Sequence, residues 1–323
     1  MKLNQLEFMV AIVEHGSLRA AARELGMAQS ALTRGVRSLE RELEAPLFVR
    51  DVQGMVLTEA GKIFHLRASA AVNDLRRAKE EVQQSLGQTG GQVVVGLSIM
   101  PHVGMLPQAL PQFRRRYPDV QLRIIEGLYP AIEGGLRDGS IDFYLGAMPT
   151  HETLAQGLVA EQLFENTRTV VGRNGHPLAA ATSIKELGAA EWATTSIDYN
   201  ASTDLESLFA QYKMGSPKLR LQASSALSVI VALASSDLLA LLPVQWNDFP
   251  MLRGALTVFN IREQLPAPSI ACIRRPDLPL TPASEFLCDL LRRYTVSKDQ
   301  PAACSSVDPI SARSKAPSAT RSS

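Results

Sequence analysis

Cysteine is scarce in this chain, and the few that occur are poorly placed for metal chemistry. The 323 residues include three cysteines, Cys272, Cys288 and Cys304. None belongs to a Cys-x-x-Cys pair, and no histidine lies near them at metal-ligand spacing. We therefore expect buried or idle thiols, and neither a metal site nor a cofactor.

Long apolar runs are missing as well. The longest stretches, such as residues 238–244, fall far short of the roughly 20 residues that cross a bilayer. The amino terminus has no long apolar run followed by a small-residue cleavage site, so no secretory signal is expected. A chain of 323 residues is long enough for two or three cores. These features predict a soluble, cytoplasmic, multi-domain protein that makes no membrane contact.

An excess of either charge is also absent. The net charge is +1, and within residues 1–58 seven basic side chains are matched by seven acidic ones. A DNA-packaging protein needs a strong basic excess, so this class is excluded. Any interaction with nucleic acid has to be argued from where the charges point.

The first 26 residues carry two short amphipathic helices. Apolar residues recur at helical spacing from Leu6 to Val13, and this first helix ends at Gly16. Ser17 is placed to cap a second helix, which Gly26 ends. Small alanines in the second helix allow another helix to approach closely, as a helix-turn-helix pair requires.

A third helix is predicted from about Gln29 to Leu43. Its apolar stripe of Leu32, Val36, Leu39 and Leu43 predicts a buried face. The opposite face suits a recognition helix in the major groove, although the same pattern is typical of an ordinary solvated face. The outward polar residues are Gln29, Ser30, Thr33, Arg34 and Arg37.

The residues after this helix predict a small hairpin, with strands at 47–50 and 55–57 around a turn at 51–54. Three helices and a hairpin form a winged helix-turn-helix. Five segments resemble the signature of the LysR-type transcriptional regulators, in its order and spacing: residues 16–22 (GSLRAAA), 29–34 (QSALTR), 39–40 (LE), 47–50 (LFVR) and 57–61 (LTEAG). The resemblance implies a bacterial, ligand-responsive transcription factor.

Three positions depart from the family pattern. Ala28 stands in place of a capping Ser or Thr, Ser30 in place of a proline, and Gly35 in place of a glutamine. The missing cap costs roughly 0.5 to 2 kcal/mol, and a glycine inside the helix about 1 kcal/mol relative to alanine. We expect these departures to affect individual base contacts and not the fold.

The resemblance also suggests which residues contact DNA. Arg34 is the expected bidentate reader of a guanine, whereas Arg50 on the wing is expected to bond phosphate. Arg23 and Arg41 are interpreted as surface charges paired with nearby glutamates and are left out. The predicted DNA contacts are Ser17, Arg19, Gln29, Ser30, Thr33, Arg34, Arg37 and Arg50.

A long helix is predicted after the wing, from a cap at Thr58 to about residue 86. It carries a heptad-like seam suited to a second copy, so a dimer is expected. The alternative is that the seam packs on the protein's own second domain. Three glycines at 87–91 then predict a hinge. The seam consists of Phe64, Ala68, Ala71, Leu75, Ala78 and Val82.

Strands and helices alternate after the hinge, which predicts an α/β domain. Strands are predicted at 92–98, 120–125, 141–146, 158–164, 168–171, 192–194, 219–222, 238–242 and 269–273. Two such halves resemble the periplasmic-binding-protein-like effector domain of the family, with residues 127–130 (GLYP) and 136–142 (LRDGSID) as the best local matches.

The predicted fold class is therefore α/β, with a winged helix-turn-helix, a long linker helix and an effector domain of two α/β subdomains. The winged head spans residues 1–58 and the linker helix with its hinge 59–91. The effector domain spans 92–295, with subdomain I at 92–163 and 266–295 and subdomain II at 164–265. Residues 296–323, rich in Ser, Ala, Pro and Lys, predict a disordered tail.

An effector pocket is expected beyond the carboxyl ends of the strands. Hydroxyl groups and apolar side chains in these loops suit a small organic anion with a hydrophobic body. The local matches look most like the branch that responds to aromatic sulfonates or carboxylates. The candidate effector contacts are Ser98, Ile99, Met100, Leu128, Tyr129, Met148, Thr195, Ser196 and Ser224.

The main alternative is an α/β small-molecule enzyme with an appended DNA-binding head. Against it, the chain has no Gly-x-Ser-x-Gly elbow, Walker loop, Gly-x-Gly-x-x-Gly or His-Glu-x-x-His. His176 is interpreted as a turn residue, and His102 is the one histidine near the predicted pocket. The expected partners are promoter DNA, an effector, further copies in a dimer or family-like tetramer, and RNA polymerase.

Overall fold

The structure is a computed structural model that describes residues 1–51, 54–149, 154–194, 201–248 and 254–296. The predicted tail beyond residue 296 and the predicted contacts Thr195 and Ser196 lie outside the described residues.

Three helices and a hairpin form the amino-terminal head. They are α1 (Leu3–His15), α2 (Leu18–Glu24), α3 (Gln29–Glu42), β1 (Phe48–Asp51) and β2 (Gly54–Leu57), and the two strands pair antiparallel. The stripe predicted on the third helix is buried at Leu32, Val36 and Leu39. Leu43 was also predicted to belong to this buried stripe. That part of the prediction is wrong, because α3 ends at Glu42 and Leu43 is exposed.

The linker helix α4 (Glu59–Ser85) is capped by Thr58, whose Oγ1 accepts from Gly61 N at 2.9 Å. Its predicted seam divides into two parts. Ala68 is buried in the core of the head, with Phe64 and Ala71 packed beside it. Leu75 and Val82 are 53% and 59% exposed. The first part therefore packs on its own chain, and the second is left on the surface.

The C-terminal domain is built from two α/β halves. The first contains β3 (Gly91–Leu97), α5 (Ile99–Gly104), α6 (Leu106–Arg116), β4 (Val120–Glu126), α7 (Tyr129–Arg137) and β5 (Phe143–Ala147), and α10 (Pro282–Val296) returns to it. The second contains β7 (Glu191–Thr194), α8 (Ala201–Gln211), β8 (Lys218–Gln222), α9 (Ala226–Ser235), β9 (Leu238–Pro243) and β10 (Leu256–Val258).

Two long strands, β6 (Val159–Arg173) and β11 (Leu265–Arg274), cross between the halves. They pair antiparallel along their length, from Leu265 opposite Arg168 to Arg274 opposite Val159. The order in the sheet is β4-β3-β5-β11-β6-β9-β7-β8, with β10 paired to β6. Pairing inside each half is parallel, between β3 and its neighbours β4 and β5 and between β7 and its neighbours β8 and β9.

The predicted fold class is confirmed, with one correction in the sheet. The strands predicted separately at 158–164 and 168–171 are the single strand β6, because the chain continues straight from one half into the other. Separate apolar cores lie in the two halves, around Phe113 and Leu145 in the first and Trp192 and Phe209 in the second. No helix in the described part of the chain is long and apolar enough to cross a membrane.

Candidate functional site

Helix α3 presents two different faces. Leu32, Val36 and Leu39 anchor its inner face in the head core, while Arg34 and Arg37 are exposed on the outer face. Ala28 provides no side-chain cap, so the first backbone amides of the helix are available to an outside acceptor. Gln29 and Ser30, in the first turn, are exposed as well.

Two of the predicted hydroxyl contacts already have a hydrogen bond in the head. Ser17 Oγ accepts from Ala20 N at 3.2 Å and caps α2. Thr33 Oγ1 donates to Gln29 O at 2.9 Å, and Thr33 is half-buried. The Ser17 hydroxyl keeps its proton to donate to a phosphate, whereas Thr33 has only acceptor capacity left.

Gly35 lies where α3 crosses α1. A Cβ atom here would come within 2.5 Å of Cε2 of Phe8, a buried side chain. Gln5 Nε2 also donates to Gly35 O at 3.5 Å. Sequence reasoning treated this glycine only as a loss of helix stability. The structure gives it a packing role, because no larger residue fits the crossing without displacing the ring.

An open groove runs along the C-terminal half of α3. Arg34, Arg37 and Arg41 line it together with Glu40. The interpretation of Arg41 as an ion-paired surface charge is wrong: among the described residues no carboxylate lies within 4 Å of its charged nitrogens, and its Nε donates to Arg37 O at 3.4 Å. In the part of the chain that the structure describes, Arg23, Arg34 and Arg37 make no ion pair either, so the expected pairing of Arg23 with a glutamate is also wrong.

Glu40 connects α3 to the wing. Its Oε1 accepts from Leu47 N at 2.8 Å and from Phe48 N at 3.3 Å. On the other side of the hairpin, Met55 N donates to Gly16 O at 3.3 Å. Arg50 is exposed on β1. The wing is therefore fixed against both α3 and the turn before α2, and it holds Arg50 on the surface of the head.

Helix α4 is docked on the C-terminal domain by a buried ion pair. Arg77 Nη2 lies 2.6 Å from Asp142 Oδ1, and the two side chains are 4% and 2% exposed. Burial lowers the pKa of Arg77, and the nearby Asp142 opposes this shift. Arg77 also donates to Gly139 O at 2.7 Å. The other oxygen of Asp142 accepts from Val94 N at 2.8 Å and from Ser284 Oγ at 2.9 Å.

Further hydrogen bonds extend this contact between α4 and the C-terminal domain, which is called the dock below. Asn73 Nδ2 donates to Asp138 O at 2.9 Å. Gln84 accepts from Ala283 N at 2.9 Å and donates to Gly90 O at 3.1 Å. Sequence reasoning missed these residues, because their partners lie far away along the chain. The contacts attach the linker helix to the segment between α7 and β5, to the residue before β3 and to the first turn of α10.

A cavity of about 170 Å³ opens among both halves and the two crossing strands. Four predicted contacts line it, namely Ser98, Ile99, Met100 and Leu128. The further lining residues are Ala147, Asn166, Arg168, Ala193, Thr194, Asp204, Leu205, Leu241, Pro243, Ala267, Pro268 and Ile270.

Three predicted contacts lie away from this cavity and are removed from the candidate site. Tyr129 is buried at the first position of α7, where its hydroxyl accepts from Ala155 N at 2.8 Å. Met148 packs against the apolar cluster that contains Tyr129. Ser224 is exposed in the turn before α9.

Polar groups in the cavity wall are already paired. Arg168 Nη2 donates to Asp204 Oδ1 at 3.2 Å in a bidentate ion pair, and its Nε donates to Pro266 O at 2.7 Å. Gln245 Nε2 donates to Asn166 Oδ1 at 3.1 Å. Arg168 was missed by the sequence reasoning because it lies in mid-strand and not at a strand end.

Ser98 is the strongest predicted contact, and its hydroxyl also has a partner. Burial raises the pKa of Tyr144, and a hydrogen bond with Ser98 opposes this rise. Tyr144 therefore keeps its proton, and its hydroxyl also donates to Ala147 O at 3.4 Å. His102 is held nearby through Nδ1 on Ser98 O at 2.9 Å, and it does not line the cavity.

His176 is held inside its turn. Its Nδ1 accepts from Leu178 N at 3.0 Å, and its Nε2 lies 3.0 Å from Asp237 O. Both ring nitrogens are occupied by backbone groups, in agreement with its interpretation as a turn residue. No group of three or more potential metal ligands occurs in the described ranges.

Two family descriptions match the chain. Residues 3–62 match the bacterial regulatory helix-turn-helix protein, lysR family, and residues 86–295 match the LysR substrate binding domain. The transcriptional regulator GalR of Pseudomonas putida is 26% identical over 290 residues, which cover 90% of this chain and 73% of GalR.

Solved structures show the same fold over nearly the whole chain. A full-length OxyR variant from Pseudomonas aeruginosa superposes with a TM-score of 0.69 at 22% identity, covering 90% of this chain and 95% of OxyR. Full-length CbnR in complex with its target DNA superposes with a TM-score of 0.64 at 20% identity, covering 91% of this chain and 100% of CbnR.

Proposed function

The chain belongs to the LysR family of DNA-binding transcriptional regulators, and we propose that it recognises a dyad promoter site through α3 and changes that binding when a small organic anion enters the cavity of its effector domain. It is a regulator and not an enzyme, and the relatives that it matches are transcriptional regulators too. The observation that carries the proposal is the exposed polar face of α3 on a fully buried apolar back.

Within the head, Arg34 and Gln29 read base edges, and Arg37 bonds phosphate beside them. Ser17, Arg19 and Arg50 bind the adjoining phosphates. The Ser30 hydroxyl and the uncapped backbone amides in the first turn of α3 donate hydrogen bonds to another phosphate. Base contacts give specificity, whereas phosphate contacts give affinity and register. The head of CbnR, which has the same fold, is bound to target DNA in its solved complex.

The test compares cognate and random duplexes. Arg34→Ala removes a base contact, so the preference for the cognate sequence falls by about 1 to 3 kcal/mol. Arg50→Ala weakens binding to both duplexes alike. Arg115→Ala, an equal change of charge on exposed α6, serves as the control and leaves both affinities unchanged. Equal losses on both duplexes for Arg34→Ala would contradict the assignment.

The effector is proposed to be an aromatic carboxylate or sulfonate. A cavity of about 150 Å³ holds one benzene molecule, and the cavity here, at about 170 Å³, is of that size. Apolar side chains such as Ile99 and Leu205 would contact the ring. Arg168 would bind the acid group, since guanidinium matches a carboxylate or sulfonate bidentately. Asp204, which is half-exposed, would turn into solvent as the anion takes its place.

Competition between Asp204 and the effector gives a sharp experiment. Asp204→Asn frees Arg168 and tightens binding of an aromatic acid such as benzoate or benzenesulfonate, by about fivefold or more. Arg168→Gln abolishes it. The measurement is calorimetric titration of the full chain against a panel of aromatic acids. If an acid binds both variants as tightly as it binds the original chain, its acid group does not contact Arg168.

A dimer is proposed to present two heads to the dyad site, with a tetramer formed from two dimers. The exposed part of α4, with Leu75, Val82 and the neighbouring Leu86, offers an apolar stripe to a second copy. The whole helix is about 40 Å long. Effector binding would change the angle between the two halves, and the dock on α4 would convey it to the heads.

The proposed setting is the cytoplasm, with RNA polymerase as a further partner at the promoter. Footprinting upstream of a divergent neighbouring gene, with and without the candidate acids, tests the regulatory step. Protection that changes with an acid supports the proposal. Protection that stays identical with every acid would leave only constitutive DNA binding.

A further inference from the structure

Two cysteines that the proposed function does not use lie side by side in the C-terminal domain. Cys272 on β11 and Cys288 on α10 are free thiols, 1% and 2% exposed. Their Sγ atoms are 3.7 Å apart. A disulfide bond is about 2.05 Å long, so a relative movement of about 1.7 Å would join them.

Charged groups cover the pair on one side. The guanidinium of Arg292 lies at the Cys272 thiol, and it also donates to Glu161 at 2.6 Å. The hydrogen bond from Cys288 lowers the pKa of Cys272; burial opposes this shift, and Arg292 adds to it. The same hydrogen bond raises the pKa of Cys288, and burial adds to this rise. Cys272 is therefore the more acidic of the two thiols.

We propose that Cys272 and Cys288 form an oxidation site for small hydroperoxides, where closure of a disulfide displaces α10 and loosens the dock of the linker helix. The Cys272 thiolate attacks the peroxide O–O bond, which gives a sulfenic acid and hydroxide. The Cys288 sulfur then attacks the sulfenic sulfur, and the S–S bond forms with loss of water. In sum, two thiols and one hydrogen peroxide give one disulfide and two waters.

The geometry directs the movement to α10. Strand β11 is paired on both edges, to β5 and to β6, so it resists displacement. Helix α10 carries Cys288 one turn beyond Ser284, which donates to Asp142 at 2.9 Å. The adjacent Ala283 N donates to Gln84 of α4 at 2.9 Å. A shift of α10 by about 1.7 Å would stretch both bonds, now 2.9 Å long, beyond the range of hydrogen bonding.

The chemical step is tested on the full chain with Cys304→Ser, so that the pair supplies its only thiols. After hydrogen peroxide treatment and alkylation, peptide mass spectrometry is expected to find β11 and α10 joined by a bond that dithiothreitol cleaves. Peroxide treatment that leaves both thiols free to alkylate after unfolding, or that gives only sulfinic acid, would overturn the proposal.

The order of events is tested by single changes. In Cys288→Ala, dimedone is expected to trap a sulfenic acid on Cys272. Arg292→Leu slows the oxidation about threefold or more, because less thiolate is present, and Arg292→Lys restores most of the rate. Faster labelling of Cys288 in Cys272→Ala than of Cys272 in Cys288→Ala would overturn the assigned roles.

The structural consequence is read by amide hydrogen exchange. Residues 73–85 of α4 are expected to exchange at least about fivefold faster in the disulfide form than in the dithiol form. The variant with Cys272→Ala and Cys288→Ala is the matched control and shows no response to peroxide. Equal exchange in the two forms would refute the coupling to α4. Neither readout uses DNA or an effector, so the result is independent of the proposed function.

Discussion

The buried ion pair between the linker helix and the effector domain gives the most quantitative prediction. Arg77→Met keeps the apolar stem of the side chain and removes its charge. Asp142 then remains buried, with hydrogen bonds from Val94 and Ser284 but without a cation. Breaking such a pair typically costs 3 to 5 kcal/mol, and the two remaining hydrogen bonds favour the lower end, about 3 kcal/mol. Urea unfolding of the full chain, followed by circular dichroism, measures the loss.

The neighbouring residue provides a matched control. Arg76 pairs with Glu80 at 3.0 Å but is partly exposed, so Arg76→Met is expected to cost less than about 1 kcal/mol. Adding Asp142→Asn to Arg77→Met is expected to recover part of the loss, because the amide oxygen still accepts from Val94 N without a buried charge. Equal effects of Arg77→Met and Arg76→Met would refute the reasoning.

Two further predictions concern the head and the proposed dimer. Gly35→Ala is expected to destabilise the head by about 1 to 3 kcal/mol, because the added methyl group clashes at the helix crossing. Gly134→Ala is the control, since a Cβ there meets nothing within 4 Å, and it is expected to be neutral or stabilising in thermal unfolding. Equal effects of the two changes would contradict a packing role for Gly35. The double change Leu75→Glu and Val82→Glu is expected to give monomers in analytical ultracentrifugation, at concentrations where the original chain is dimeric. Lys79→Glu is the control. An unchanged sedimentation coefficient in the double variant would place the dimer contact elsewhere.

Local patterns allowed much of the fold to be predicted from the sequence. The spacing of Leu32, Val36 and Leu39 identified the inner face of α3, because a helix returns a side chain to the same face every three or four residues. Ser17 and Thr58 were recognised as caps for a similar reason, since a cap depends on its immediate neighbours. These predictions required no knowledge of distant contacts.

The missed features depend on contacts between distant parts of the chain. Arg77 and Asp142 are 65 positions apart, and nothing in either local pattern marks them as partners. Arg168 and Asp204 meet only because β6 crosses between the halves. The heptad spacing from Phe64 to Val82 could not show that the head covers its first part. Residues at strand ends were found more readily than those in mid-strand.

Recognition of DNA depends on the outward face of α3 lying along the double helix. The most direct measurement is the affinity of the full chain for a labelled duplex, by fluorescence anisotropy, from low to physiological ionic strength. We expect the logarithm of the affinity to fall linearly with the logarithm of the salt concentration. We also expect a preference for the cognate duplex, which Arg34→Ala removes. No affinity for any duplex at low ionic strength would contradict DNA recognition through α3.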